Sequence, residues 1–213
     1  MENKLFSKVF MWMAIGLLVT FATAWFVSTN ETMITNIFSK TTYILLIILE
    51  FAAVIYLSVR VMKMEPSTAK CVFLLYSVLS GLTFSSIFIY YQLSSIVYIF
   101  LLTALFFGLL SLVGYTTKKD MTKIGRICII GLIVVIITAI VNVFIGNTML
   151  DLLISILVLA LFVGITIYDI QKIKRLQNTG LPEENLAIYG ALDLYLDFIN
   201  IFIQLLRLFG RQK

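Results

Sequence analysis

Asp193, Asp197, Asn200, Gln204 and Arg207 follow one another at spacings of four, three, four and three residues, in a segment that is otherwise almost wholly large and apolar. That spacing is a heptad seam and sets all five on one side of a helix. A polar stripe along most of a membrane helix must face other helices or a water-filled path. Hydrogen bonding between helices accounts for a lone Asn or Gln in such a place. Two acids in one stripe point further, to ion or proton chemistry. Other charged groups in apolar segments are Glu50 and, at the inner end of the same run, Arg60, with Asp169 at the inner end of a later run. Asp151, at the outer mouth of that later run, reads as a solvated boundary residue. The sequence has no histidine. Ser–His and Cys–His catalysis, imidazole metal ligands and an imidazole pH switch are all removed together.

The elements that carry these groups follow from composition. Apolar residues make up 61% of the 213 positions and charged residues 13%, and the mean hydropathy is +1.06. A soluble domain of this size could not cover so much apolar surface with so few charges. About 20 apolar residues cross the hydrocarbon core, and seven stretches are long enough: Val9–Ser28, Tyr43–Val61, Cys71–Tyr91, Ser95–Tyr115, Ile124–Ile145, Leu150–Ile170 and Leu186–Phe209. The first has the length of a spanning helix and no convincing cleavage site, so it reads as a retained helix rather than a signal peptide. The connections are short and polar, and Pro66 and Pro182 fall in them. The chain reads as one compact all-α membrane domain over residues 1–213. Cys71 and Cys128 read as two reduced core thiols.

The basic residues set the orientation. With the N-terminus inside, the inner segments hold twelve: Lys4, Lys8, Arg60, Lys63, Lys70, Lys118, Lys119, Lys123, Arg126, Lys172, Lys174 and Arg175. The outer loops hold only Lys40. This positive-inside bias places the N-terminus in the cytoplasm. Arg207, Arg211 and Lys213 break the pattern: either the last helix is a re-entrant hairpin, or the six loops outvote one short tail. The net charge of +5 sits in these short clusters and so marks topology, not nucleic-acid binding.

The string Tyr-Leu-Asp-Phe-Ile-Asn-Ile-Phe at 195–202, followed by Leu-Leu-Arg, resembles the last-helix signature of the transmembrane Bax inhibitor motif family. Thr-Lys-Lys-Asp at 117–120, Asn142-Val-Phe and Tyr168-Asp169-Ile-Gln agree in order, and together the pieces span roughly residues 60 to 210. The resemblance implies seven membrane helices with the last one central, and a pH-sensitive calcium leak. It matches Asp169 and Asp197 to the family's paired aspartates and Arg60 to their partner cation. The short N-terminal tail resembles bacterial members, which implies the bacterial plasma membrane. No cofactor and no enzymatic activity are implied, and Ca²⁺ and protons are the species handled.

The chemistry of carboxylates agrees. Two of them forced together in a low dielectric share a proton, so the pair titrates near physiological pH without histidine. Protonated, it hydrogen-bonds helix six to helix seven and holds a path shut; deprotonated, it repels, and Arg60 can recruit one member. Their hard oxygens also suit Ca²⁺. The helix arithmetic resists, because Asp197 lies about 16 Å along the last helix from Leu186 at 1.5 Å per residue, while Asp169 lies at the inner end of its own run. On flush helices Asp193 is nearer. Asp197 serves only if helix six projects beyond the core or the Pro182 loop dips inward. Glu50 and Arg207 lie in the outer half and form a second latch there, unless Arg207 meets headgroups and Glu50 bonds to Asn200. A proton-coupled cation exchanger would use the same carboxylates, although no inverted repeat is seen. Aspartyl intramembrane proteases also place Tyr-Asp on one helix and an acid on the next, but their Gly-x-Gly-Asp and Pro-Ala-Leu signatures are missing here.

Overall fold

The computed structural model describes the backbone of residues 2–213 and the side chains of residues 4–213. Its helices are α1 (Glu2–Ser28), α2 (Glu31–Ile37), α3 (Lys40–Arg60), α4 (Pro66–Tyr90), α5 (Leu93–Thr116), α6 (Thr122–Ile145), α7 (Thr148–Leu176) and α8 (Glu183–Phe209), with 3₁₀ turns at Val61–Lys63 and Gln177–Thr179. All but α2 are long and apolar enough to cross a membrane. The protein is an all-α integral membrane protein.

The seven apolar runs are the seven long helices, but their ends differ. α1 begins at Glu2 and α7 runs to Leu176, because the hydrogen-bond ladder of a helix does not stop where hydrocarbon does. α2 was not expected. Asn30 starts it, its side chain accepting from the Met33 N–H at 3.1 Å, a cap set inside the fourteen-residue connection between the first two apolar runs. Pro66 does not lie in a loop: it is the first residue of α4, where its missing N–H would be unpaired anyway. Nor are the cysteines core thiols. Cys71 is exposed and Cys128 half-buried, as apolar side chains on a bilayer-facing surface can be. The central stretches of α3 and α6 are only 11% buried, against 67% for α8. Hydrocarbon is the solvent that the first two are built for.

The chain divides into two compact units. The first holds residues 1–93, 176–195 and 212–213, and the second holds residues 94–175 and 196–211. In the first, α1 packs along α4, closely enough at Gly81 that a Cβ there would lie 2.8 Å from the Thr20 carbonyl oxygen. Small residues permit such approach where helices meet in lipid. Ion pairs tie three helix starts together: Lys8 to Glu183 (2.8 Å) and Glu184 (2.6 Å), and Lys70 to Glu184 (2.7 Å). At the other end of α4, the Lys213 ammonium donates to the Phe88 carbonyl (2.6 Å) and its N–H to that of Tyr90 (3.0 Å). A cation on the last carbonyls of a helix is favourable. α8 is unbroken from Glu183 to Phe209, so the re-entrant hairpin is not formed, and the terminal basic residue serves as a helix cap.

In the second unit, α6 meets α7 at Gly125, where any Cβ would fall on the Tyr168 ring. Phe198 of α8 packs against Phe100 (5.2 Å between centroids) and Phe107 (5.6 Å) of α5.

Candidate functional site

Along the α8 stripe, Asp197 and Gln204 are buried, Asp193 and Asn200 half-buried, and Arg207 exposed. Asn200 Nδ2 donates to the Leu196 carbonyl of its own helix (2.8 Å). Gln204 Oε1 is buried with no hydrogen-bond partner among the described residues, and so is Ser111 Oγ on α5. A buried amide oxygen without a donor is costly in an ordinary core, and it is an acceptor available to water or a cation.

Asp197 is 2% exposed and Asp169 8%. Both lie in the second unit, whereas Asp193 lies in the first. α7 continues from Asp169 to Leu176, seven residues or about 10 Å. Asp169 is therefore two turns inside its helix, and Asp197 lies fourteen residues, about 21 Å, into α8 from Glu183. The near cation of Asp169 is Lys172, whose Nζ lies 3.6 Å from Asp169 Oδ1, an ion-pair distance rather than a hydrogen bond. Sequence reasoning counted Lys172 only as a topology charge. The Asp–Lys spacing of three on one helix was the signal available. Arg60, in the first unit, ends α3 and is exposed.

Glu50 is half-buried in the first unit, and two α4 hydroxyls take its carboxylate: Ser80 Oγ donates to Oε1 and Thr83 Oγ1 to Oε2, each at 2.8 Å. Sequence reasoning names neither partner, although two hydroxyls three residues apart on an apolar helix share a face. Asp151 is exposed at the start of α7, but it is more than a solvated boundary residue. It accepts from the buried Asn142 Nδ2 at 2.7 Å, and the same amide donates to the Asn147 carbonyl (3.0 Å), closing the α6–α7 turn.

Two of the motif pieces meet in space. Gln171 Oε1 accepts from the Met121 N–H (3.0 Å), and its Nε2 donates to the carbonyls of Lys119 (2.9 Å) and Thr117 (3.3 Å). The 117–121 loop is thus held by the helix that carries Asp169. In that loop Asp120 accepts from the hydroxyl (2.6 Å) and N–H (2.9 Å) of Thr122 and from Arg175 (3.0 Å). These donors, the Thr122 hydroxyl foremost, hold the exposed Asp120 carboxyl below the usual carboxylate range. Among the described residues, no three Cys, Asp or Glu side chains gather as a metal site.

Residues 2–213 match the family described as "Inhibitor of apoptosis-promoting Bax1". The chain is 42% identical to an uncharacterised protein of Borreliella burgdorferi, covering 100% of this chain and 94% of the relative. It is 39% identical to the inner membrane protein YbhL of Escherichia coli K12, covering 97% and 91%. An uncharacterised protein of Deinococcus radiodurans is 34% identical over 95% and 88%.

Proposed function

Since the chain belongs to the Bax inhibitor family, we propose that it is a pH-sensitive calcium leak in a bacterial plasma membrane, with its N-terminus cytoplasmic and no enzymatic activity. The observation that carries this reading is the burial of Asp169 and Asp197 within one compact unit of a membrane protein that has no histidine. In the closed state the two acids share one proton, which removes the charge that burial disfavours. When that proton leaves, Lys172 beside Asp169 holds one carboxylate, and Asp197 presents the other to the path. Gln204 Oε1, seven residues on, offers a further oxygen. Carboxylate and amide oxygens are the ligands a hard divalent ion accepts in place of water. Ca²⁺ is the passing substrate here and needs no tight site.

A proton-coupled Ca²⁺ exchanger would use the same acids, and one reconstitution separates the two. Purified protein in liposomes is given a fixed calcium gradient, with and without a proton gradient. A leak follows pH itself and runs only down the calcium gradient. Calcium accumulation driven by protons would make it an exchanger, and no protein-dependent flux at any pH would end both readings.

A further inference from the structure

Within the second unit, α6 has one face against protein and one open to the bilayer. Three of its residues meet α7: Gly125 at the Tyr168 ring, Cys128 at Gly164, and Gly131 at Leu161. The opposite face carries Lys123, Arg126, Ile127, Ile130, Val134 and Ile137, all within about 60° of one line down the helix. Both cations are exposed, and the four aliphatic side chains are 57–68% exposed. Arg126 and Ile137 lie eleven residues apart, about 16 Å at 1.5 Å per residue. That is the depth of one leaflet in a hydrocarbon core about 30 Å thick.

The cations at the head of this stripe have no acid of their own. Lys8, Lys70, Lys172 and Arg175 each stand at ion-pair distance from a carboxylate, and Lys174 lies over the Tyr115 ring (4.5 Å). Among the described residues, neither Lys123 nor Arg126 has such a partner. Asp120, the acid nearest in sequence, is held by Thr122 and Arg175. Lys118 and Lys119, just before it, add two more exposed charges. The end of α3 differs, because there the exposed Glu65 follows Arg60 and Lys63.

We propose that this face of α6 binds an anionic phospholipid, its phosphate on Lys123 and Arg126 and an acyl chain along Ile127, Ile130, Val134 and Ile137. Basic clusters at the end of a membrane helix attract anionic headgroups at roughly fivefold in affinity per cation. A free phosphate would use the charges and leave the apolar stripe unused. A zwitterionic headgroup brings a positive charge that these cations repel. The proposal goes beyond the calcium reading and does not depend on it.

Native mass spectrometry of the full chain in detergent tests it, with phosphatidylglycerol and phosphatidylcholine of the same acyl chains as probes. The wild type should hold phosphatidylglycerol more tightly, and the preference should weaken as salt is raised. Lys123→Gln with Arg126→Gln should weaken the apparent Kd for phosphatidylglycerol roughly thirtyfold and bind the two lipids alike. Lys123→Arg with Arg126→Lys keeps both charges and should keep the preference, which separates a lost charge from a lost fold. Lys4→Gln with Lys63→Gln removes two exposed cations of the first unit and should change nothing. Equal retention of the two lipids by the wild type overturns the proposal. So does an unaltered preference in the Lys123→Gln, Arg126→Gln protein, or an equal loss in the Lys4→Gln, Lys63→Gln protein, which makes the attraction a diffuse surface charge. Competition by glycerol phosphate at the concentration of the lipid overturns it in favour of a free anion. A dimer in the same spectra that dissociates in Ile130→Asn gives the face to a second copy instead.

Discussion

The two units treat their buried acids differently. In the first, both oxygens of Glu50 receive hydroxyl donors, from Ser80 and Thr83 of α4. In the second, Asp169 has a cation at ion-pair distance, and the stripe that carries Asp197 also carries an amide oxygen with no hydrogen-bond partner among the described residues. A fully satisfied polar network makes a core rigid and specific, whereas an incompletely satisfied one keeps a capacity to bind or to move charge. Glu50 has a hydroxyl donor for each oxygen, whereas the stripe that carries Asp197 keeps an amide acceptor open.

Asp197→Asn is the sharpest way to break that contrast. The amide keeps the volume and a carbonyl acceptor but cannot ionise. Calcium flux in liposomes should lose its pH dependence altogether, while helicity and folded yield stay at wild-type levels. An unchanged pH profile would remove Asp197 from the mechanism. Lys172→Met should act next in size. Without the cation, ionised Asp169 is less favoured, so flux at neutral pH falls and activation moves to higher pH. Arg60→Ala should give a smaller shift in the same direction. If Arg60→Ala has the larger effect, the exposed end of α3 and not α7 supplies the controlling cation.

Stability measurements probe the contrast from the other side. Glu50→Ala removes the acceptor of the buried Ser80 hydroxyl, while Thr83 retains the Ser80 carbonyl at 2.9 Å. It should cost about 1–3 kcal/mol if Ser80 finds no new acceptor. Glu50→Gln keeps an acceptor and should cost less. Gln204→Leu removes an amide oxygen that has no hydrogen-bond partner among the described residues, so thermal unfolding in detergent should be unchanged or shifted upward. A large loss from Gln204→Leu would show the second unit to be as tightly satisfied as the first.

The seven helices were legible in hydropathy alone, because about 20 apolar residues per span is a physical requirement of the bilayer. The stripe was legible for the same kind of reason: a period of three and four residues fixes a face. Burial of Asp197 and Gln204 agrees with it. What hydropathy could not give was the continuation of α7 past Asp169, since Gln171, Lys172, Lys174 and Arg175 break the apolar run there, although Ile170 and Ile173 keep the helical spacing. Nor could it give partners. Ser80 and Thr83 are ordinary residues in membrane helices, and only the packing of α3 on α4 makes them the partners of Glu50. Gln171 belonged to a recognised motif, yet its role in holding the 117–121 loop depends on a contact across about 50 positions of sequence, which no local pattern encodes.

The smallest effect is expected at Asp120, and it serves as the control for all the pH experiments. Its carboxyl lies below the usual range because the Thr122 hydroxyl and N–H and the Arg175 guanidinium all favour the ionised form. A carboxyl depressed in the folded state contributes stability that is complete above its unfolded pKa of about 3.9 and is lost as pH falls through the lower folded value. Across the acid-to-neutral range in which the buried acids are proposed to act, Asp120 stays ionised and contributes a constant. It is also fully exposed, so its charge is screened by solvent and salt. Asp120→Asn keeps an acceptor for Thr122 but loses the pairing with Arg175 (3.0 Å). Hydrogen exchange should quicken modestly at the first amides of α6 and in the 117–121 loop, and the pH midpoint of calcium flux should stay where it is. A displaced midpoint would mean that the loop held by Gln171 reports to Asp169, and that an acid outside the membrane shares in the response assigned here to the buried ones.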